Sequence, residues 1–140
     1  MELNVISNPD ITQTIAYKIA RVIYAETYAP TLPAVEAMAS MISNIAKQSN
    51  RDVADVIKDE NIFSSLNPKS PRHKYTSVDA SDRAFQMCVR VVKRMLRGVL
   101  PDMCSGATRF HRADELPEWA FARGYIADID GLLFYVMGAQ

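Results

Sequence analysis

Apolar residues recur at helical spacing through most of the chain before Pro101, with polar residues between them. This pattern predicts four helices. The first two run from the N-cap Asp10 to about Thr27 and from the N-cap Thr31 to about Gln48. A short third helix follows the N-cap Asn50, and the fourth covers about Asp79 to Arg97. The last helix is amphipathic, with an apolar face of Phe85, Val89, Val92, Met95 and Leu96 and a basic stripe of Arg83, Arg90, Arg94 and Arg97.

The pattern changes after Pro101 to short runs with weak alternation. Residues 107–111 predict one strand, and residues 124–129 and 132–136 flank Asp130-Gly131, a strong hairpin signal. Between the third and fourth helices, residues 61–77 lose periodicity and predict a long loop of the kind that forms the wall of a cleft. The predicted fold class is therefore α+β, with a helical body followed by a small antiparallel sheet.

One carboxylate breaks the apolar stripe of the first helix. Ile15, Ile19, Val22 and Glu26 fall on the same face, which should pack into the core. Burial disfavours the charged form of a carboxylate, so Glu26 is a candidate general acid able to donate a proton near neutral pH. The alternative is that the helix stops near Ala25 and leaves Glu26 in solvent.

Composition narrows the function classes. A chain of 140 residues with 49% hydrophobic and 23% charged residues is expected to form one folded domain over residues 1–140. Acids and bases balance at 16 each, so the overall charge does not favour nucleic acid or anionic lipid. The basic stripe leaves nucleic-acid binding as a weaker alternative to a solvated helix face.

Neither a targeting segment nor a metal motif is predicted. Residues 1–10 lack the pattern of a secretory signal, and no stretch is apolar and long enough to span a membrane. Cys88 and Cys104 are expected to be free thiols, because two cysteines do not define a disulfide framework. With His73 and His111 they lack the close paired spacings of structural zinc sites, so we expect no metal and no cofactor.

Several motifs, in order, resemble the SleB/CwlJ-type cell-wall hydrolases. The matching segments are residues 20–26, 35–45, 62–64, 106–111, 116–120 and 129–135. The similarity spans about residues 17–135, and Glu26 falls on the catalytic glutamate that ends the family's first helix. The chain departs from the family at residues 27–30, which are shorter and lack glycine, and at residues 130–132, where the family often has a histidine.

The resemblance implies a lysozyme-like α+β fold and cleavage of peptidoglycan between N-acetylmuramic acid and N-acetylglucosamine. It also implies lytic transglycosylation, in which the muramic acid 6-hydroxyl attacks and leaves a 1,6-anhydro end. Most glycosidases need two carboxylates, whereas an internal nucleophile lets one glutamate serve as acid and then as base. No other carboxylate has a sequence context like that of Glu26: Glu36, Glu60, Asp79 and Asp82 all fit helix-surface, loop or cap positions.

Sugar rings present apolar faces and hydroxyls, so aromatic, hydroxyl and imidazole side chains are expected at the cleft. The candidate substrate contacts are Tyr24, Phe63, Ser64, Thr108, Phe110, His111, Trp119 and Tyr135. For Phe110, Trp119 and Tyr135 the alternative is an ordinary core position. For His111 it is a structural hydrogen bond, and for Thr108 it is a strand position without contact to substrate.

The predicted protein is thus a monomeric enzyme that acts on glycan strands of the cell wall. An alternative is a catalytically silent peptidoglycan-binding or virion structural module with the same fold, which the departures after Glu26 and at the hairpin favour. A wall enzyme made in the cytoplasm without a signal peptide needs another exit, which suits a phage endolysin or a particle-borne lysin.

Overall fold

The computed structural model describes residues 14–120 and 122–136. The helices are α1 (Ile15–Thr27), α2 (Leu32–Ser49), α3 (Val53–Val56) and α4 (Arg83–Leu96). Single 3-10 turns cover Ser64–Leu66, His73–Ser77 and Ala122–Gly124, and the strands are β1 (Arg109–Arg112), β2 (Tyr125–Ile129) and β3 (Leu132–Tyr135). The predicted α+β class is confirmed.

Capping side chains set the helix starts. Thr14 is the N-cap of α1, so this helix begins later than predicted, and the proposed cap Asp10 lies outside the described residues. The predicted cap Thr31 is confirmed, because its hydroxyl accepts from the amide of Ala34. Asp82 caps α4 by accepting from the amide of Phe85 at 2.9 Å, so α4 also begins later than predicted.

Two local predictions are wrong. Asn50 does not begin α3: it ends α2 in the left-handed conformation, with φ of 55°, and its amide bonds to Ala46, while Asp52 is the N-cap of α3. Asn favours both N-caps and left-handed C-caps, so residue type alone did not separate the two ends. Leu96, predicted on the apolar face of α4, is 40% exposed because it lies in the last turn, at the edge of the packed surface.

The core lies among α1, α2 and α4. Its largest fully buried side chains include Ile19, Ile23, Met38, Met41, Ile42 and Phe85. Burial of such side chains contributes roughly 1.5–3 kcal/mol each, so the helical body supplies most of the hydrophobic stabilisation. No helix among the described residues is long and apolar enough to cross a membrane.

The sheet has three antiparallel strands in the order β1-β3-β2. The predicted hairpin at Asp130-Gly131 is confirmed, and both residues have positive φ, 50° and 86°, as a type I′ turn requires. Phe63 of the loop contacts Phe110 of β1, which contacts Phe134 of β3, so one row of rings joins the long loop to the sheet. The side-chain amide of Asn44 donates to the carbonyl of Ala107 at 3.1 Å and anchors the segment before β1 to α2.

The predicted loop at residues 61–77 contains two 3-10 turns and forms one wall of a groove. The two turns are tied together, because Nδ1 of His73 lies 2.9 Å from the carbonyl oxygen of Ser65. The loop packs against α1, and α1 ends at the groove. The local order of this loop thus depends on hydrogen bonds rather than on a periodic apolar pattern.

Candidate functional site

Glu26 lies in the last turn of α1 and is buried. The helix continues through Thr27, so Glu26 stays in phase with Ile19 and Val22 on the packed face. Only 1% of the residue is exposed, so the interpretation of Glu26 as a solvated helix end is wrong. Burial of a carboxylate is costly without partners, and the two side-chain oxygens of Glu26 both have one.

The partners of Glu26 come from two distant segments. Nη1 of Arg112, at the end of β1, donates to Oε1 at 2.8 Å. The amide of Ser65 donates to Oε2 at 2.9 Å. Each side-chain oxygen of Glu26 thus accepts one hydrogen bond, and the bond from Arg112 is charge-assisted.

Arg112 joins three segments at one point. Its Nη2 donates to Oε2 of Glu115 at 2.9 Å and to Oγ of Ser64 at 3.3 Å, in addition to the bond from Nη1 to Glu26. The amide of Arg112 also donates to Oε1 of Glu115 at 3.2 Å. The planar guanidinium therefore has two carboxylate partners at once, one buried and one at the surface.

Three adjoining cavities meet at Arg112 and together form the groove. The hairpin cavity, about 300 Å³, is lined by Glu26, Thr31, Arg72, Asp114 and Asp130 among others. The tryptophan cavity, about 360 Å³, is lined by Glu26, Asn61, Ser64, Arg109, His111 and Trp119 among others. The tyrosine cavity, about 570 Å³, is lined by Tyr28, Ser70, Arg72, Lys74, Tyr75 and Asp114 among others. Glu26 lies where the first two cavities join.

The rings of His111 and Trp119 form the floor of the tryptophan cavity and pack against a third ring, that of Tyr135. Nε2 of His111 is 3.0 Å from the hydroxyl of Tyr135, and the two rings are stacked with centroids 5.3 Å apart. Trp119 packs edge-on against both, and the guanidinium carbon of Arg109 lies 4.4 Å from the Trp119 ring centroid. Burial lowers the pKa of Arg109 from its usual value. This surface offers an aromatic face beside hydrogen-bond donors, which suits a sugar ring.

Half of the predicted substrate contacts lie in this cavity. Ser64, Phe110, His111 and Trp119 line it together with Glu26. The hydrogen bond between His111 and Tyr135 also gives His111 the structural role that the sequence left open.

The other four predicted contacts line none of the three cavities. Tyr24 packs against Phe85 in the helical core, where burial raises its pKa. Phe63 is fully buried and contacts Phe110. Thr108 is buried and its amide donates to the carbonyl of Tyr135, which itself lies behind His111. We correct these four to core or supporting positions, because each is buried and none of them lines any of the three cavities.

Several groove residues were not predicted. No second carboxylate has a sequence context like that of Glu26, yet the fold brings Asp114, Glu115 and Asp130 to the groove. Arg112 was missed although it directly follows His111, and that position at the end of a predicted strand was the available signal. Arg72 lies in the loop without periodicity, where the sequence carried no signal.

The cysteines take no part in the groove. Both Cys88 and Cys104 are buried and unpaired, which confirms the prediction of free thiols. Burial raises the pKa of each thiol to about 12, so both are inert at neutral pH. Among residues 14–120 and 122–136, no cluster of His, Cys, Asp and Glu is arranged to hold a metal ion.

Comparisons of the chain with protein-family models, with curated proteins and with solved structures gave no match. A functional assignment therefore depends on the groove itself and on the ordered motifs in the sequence. The groove supplies a buried carboxylate, an aromatic floor and a set of guanidinium groups within one open surface.

Proposed function

We propose that this chain is a peptidoglycan-cleaving enzyme with a lysozyme-like arrangement, in which Glu26 protonates the glycosidic oxygen between N-acetylmuramic acid and N-acetylglucosamine. The observation that carries the proposal is the position of Glu26, a buried carboxylate at the junction of two cavities in an open groove. A groove open along its length accepts a polymer, and cavities on both sides of the acid leave room for a sugar on each side of the scissile bond.

The aromatic floor supports a carbohydrate substrate. Trp119 presents a ring in the tryptophan cavity, and Asn61, Ser64 and Arg109 provide polar groups around it. A sugar that stacks on the Trp119 ring and forms hydrogen bonds through its own hydroxyls would be held in one orientation. Its glycosidic oxygen would then be aligned with Glu26.

Proton transfer requires Glu26 to be neutral when substrate is bound. Closure of the groove by the glycan removes water and favours the neutral acid, whereas Arg112 favours the carboxylate. Glu115 offers the guanidinium a second partner, because it already accepts from Nη2 of Arg112 at 2.9 Å. Arg112 is thereby stabilised in place when Glu26 is protonated, and it stabilises the carboxylate again after the proton has left.

We propose lytic transglycosylation as the reaction. Glu26 protonates the leaving oxygen, the glycosidic bond breaks, and the carboxylate then takes the proton from the muramic acid 6-hydroxyl as that oxygen bonds to C1. Glu115 is a candidate for a second carboxylate because it shares Arg112 with Glu26, but both of its oxygens accept from Arg112. These hydrogen bonds indicate that Glu115 holds Arg112 in place rather than acting as a base.

The test is turbidity loss of a purified peptidoglycan suspension. Glu26→Gln keeps the size and hydrogen-bonding capacity of the side chain but has no acidic proton, and we expect activity to fall by about 10²–10⁴-fold. Glu36→Gln is the matched control, because Glu36 also pairs with an arginine, Arg94, but lies outside the three cavities. Activity retained in a folded Glu26→Gln protein would refute the assignment.

Product analysis separates the two reactions. Mass spectrometry should find 1,6-anhydro ends in the wild-type digest, whereas reducing ends would indicate hydrolysis. Glu115→Gln adds a second criterion. If the enzyme is a transglycosylase, this variant should still produce 1,6-anhydro ends. Complete loss of turnover would indicate that Glu115 is a base or nucleophile.

The ion pair of Glu26 favours a second candidate function. Both side-chain oxygens of Glu26 have donors, so the carboxylate also serves to join α1, the loop and β1. A peptidoglycan-binding or virion structural module with the same groove would need only that role. Sedimentation with peptidoglycan at several pH values, without release of soluble fragments, would support this candidate.

A further inference from the structure

The tyrosine cavity is the largest of the three, at about 570 Å³, and has no role in the proposed cleavage. It adjoins the other two at Arg112, so it lies beside the proposed scissile bond. Its walls are the loop at residues 64–75, the segment that follows α1, and residues 112–115.

Two cations in this cavity have no carboxylate partner among the described residues. Arg72 donates from Nη1 to the carbonyl of Ala25 at 3.3 Å, which leaves most of its guanidinium donors for a ligand. Lys74 lies over the ring of Tyr75, with Nζ 5.3 Å from the centroid. Burial lowers the pKa of Arg72, and the positive charge of Arg112 lowers it further. An anionic ligand on Arg72 would offset this repulsion between the two guanidinium groups.

Stacked rings complete the cavity. Tyr28 and Tyr75 lie with centroids 3.8 Å apart and ring planes within 12°. Tyr28 is 47% exposed, so its outer face is available to an apolar group. The cavity thus combines an apolar wall with a guanidinium fork, which suits an aliphatic chain that ends in a carboxylate.

One residue opposes such a ligand. Asp114 lines the tyrosine and hairpin cavities and forms no ion pair with another described residue. Its charge attracts Arg72 and would repel an incoming carboxylate. Glu115 also lines the cavity, where it accepts hydrogen bonds from Arg112, an arginine that it shares with Glu26. Arg72 and Asp114 should therefore affect an anionic ligand in opposite directions.

We infer that the tyrosine cavity is a carboxylate subsite that binds the peptide stem of peptidoglycan through Arg72. The inference rests on the proposed peptidoglycan substrate. The stem is attached to the N-acetylmuramic acid beside the scissile bond, and it carries free carboxylates on short aliphatic residues. Arg72 takes the carboxylate in a bidentate fork, and the Tyr28–Tyr75 pair contacts the aliphatic part.

Calorimetric titration with a muramyl peptide tests the subsite, because this ligand has no glycosidic bond to cleave. Arg72→Gln should weaken binding by about tenfold or more, as expected for loss of charge-assisted hydrogen bonds. Asp114→Asn should tighten binding. Arg90→Gln, which removes an exposed charge from α4, is the matched control and should change nothing. Arg72→Lys, which keeps the charge without the fork, should give an intermediate affinity.

Amidated ligand provides the decisive comparison. A muramyl peptide with its carboxylates amidated should bind the wild type no more tightly than the free peptide binds Arg72→Gln. Equal affinities of the free and amidated peptides for the wild type would overturn the inference, as would equal effects of Arg72→Gln and Arg90→Gln. Displacement of the peptide by inorganic phosphate at lower concentration than by acetate would indicate a phosphate site and would also overturn it.

The subsite and the enzymatic activity can each be refuted without refuting the other. Peptide binding that depends on Arg72, in a protein that releases no fragments from peptidoglycan, supports the subsite and refutes the enzyme. Cleavage that is equally fast on peptide-bearing and peptide-free glycan in wild type and in Arg72→Gln supports the enzyme and refutes the subsite.

Discussion

Two glutamates on neighbouring helices each pair with an arginine from a distant segment. Glu26 of α1 accepts from Arg112 of β1 at 2.8 Å, and Glu36 of α2 accepts from Arg94 of α4 at 3.3 Å. The side chains of the first pair are 0% and 13% exposed, and those of the second are 13% and 39% exposed. The same pair of residue types therefore exists in the protein in a dry and in a partly wet environment.

The comparison shows that an ion pair does not identify a site. Arg94 belongs to the basic stripe of α4, and its bond to Glu36 holds two helices together at the surface. Glu26 differs because its backbone position directs it into the core while two cavities reach it from outside. Desolvation next to an open groove is what makes a carboxylate chemically useful.

The largest expected effect is on stability. Arg112→Met leaves the buried carboxylate of Glu26 without its charged partner, and we expect a loss of about 3–5 kcal/mol in the free energy of unfolding. Arg94→Met removes a partner that is 39% exposed, where solvent screens the charges, so the expected loss is about 0–1 kcal/mol. Urea denaturation of both variants measures the difference. Equal losses in the free energy of unfolding would show that burial does not make the Glu26–Arg112 pair more important for stability than the Glu36–Arg94 pair.

The double variant Glu26→Gln with Arg112→Met should recover most of that loss. A buried ion pair replaced by neutral groups is often close to neutral in stability, because the desolvation cost disappears with the charges. If Glu26 is the acid, the double variant should fold and remain inactive on peptidoglycan. Activity that returns together with stability would show that the ion pair is structural only. The denaturant midpoint and turbidity loss are measured on the same preparation.

The sequence predicted those features that depend on local pattern. The phase of Ile19 and Val22 was sufficient to place Glu26 on the packed face, because a helix repeats regularly over that distance. The turn at Asp130-Gly131 follows from the positive φ that this dipeptide tolerates. Local chemistry was ambiguous at Asn50, which suits either end of a helix, and the prediction there was wrong.

The polar part of the groove depends on tertiary contacts. Arg112 meets Glu26 across 86 residues of sequence, and no periodicity links a helix end to the end of a strand. Arg72 is placed by a loop whose order comes from hydrogen bonds such as that between His73 and Ser65. Side-chain direction in a loop or at a strand end is decided by neighbours that the sequence pattern does not reveal, which also explains why Phe63 is buried in the core and lines none of the cavities.

A smaller effect is expected from the hydroxyl beside Glu26. Ser65 is fully buried, and its Oγ has no hydrogen-bond partner among the described residues. Ser65→Ala keeps the amide that donates to Glu26 and removes an unsatisfied buried group, so we expect a gain of about 1 kcal/mol in the free energy of unfolding. In the part of the chain that the structure describes, Ser65 is the only residue with such an unsatisfied group. Ser40→Ala serves as control, because the Ser40 hydroxyl does form hydrogen bonds. A lower denaturant midpoint for Ser65→Ala would show that the hydroxyl is bonded in solution.

The smallest expected effect is a difference between the two ion pairs in how their coupling energies respond to salt. Double-mutant cycles give the coupling energy between Glu26 and Arg112 and between Glu36 and Arg94. At about 0.5 M sodium chloride the coupling of the exposed pair should fall from under about 1 kcal/mol to near zero, because counterions reach its charges. The coupling of the buried pair should change little, since Arg112 is only 13% exposed and Glu26 is not exposed at all. Equal loss in both pairs would mean that water and ions reach Glu26 in the free protein, and a carboxylate hydrated in that way would be a weak general acid at neutral pH.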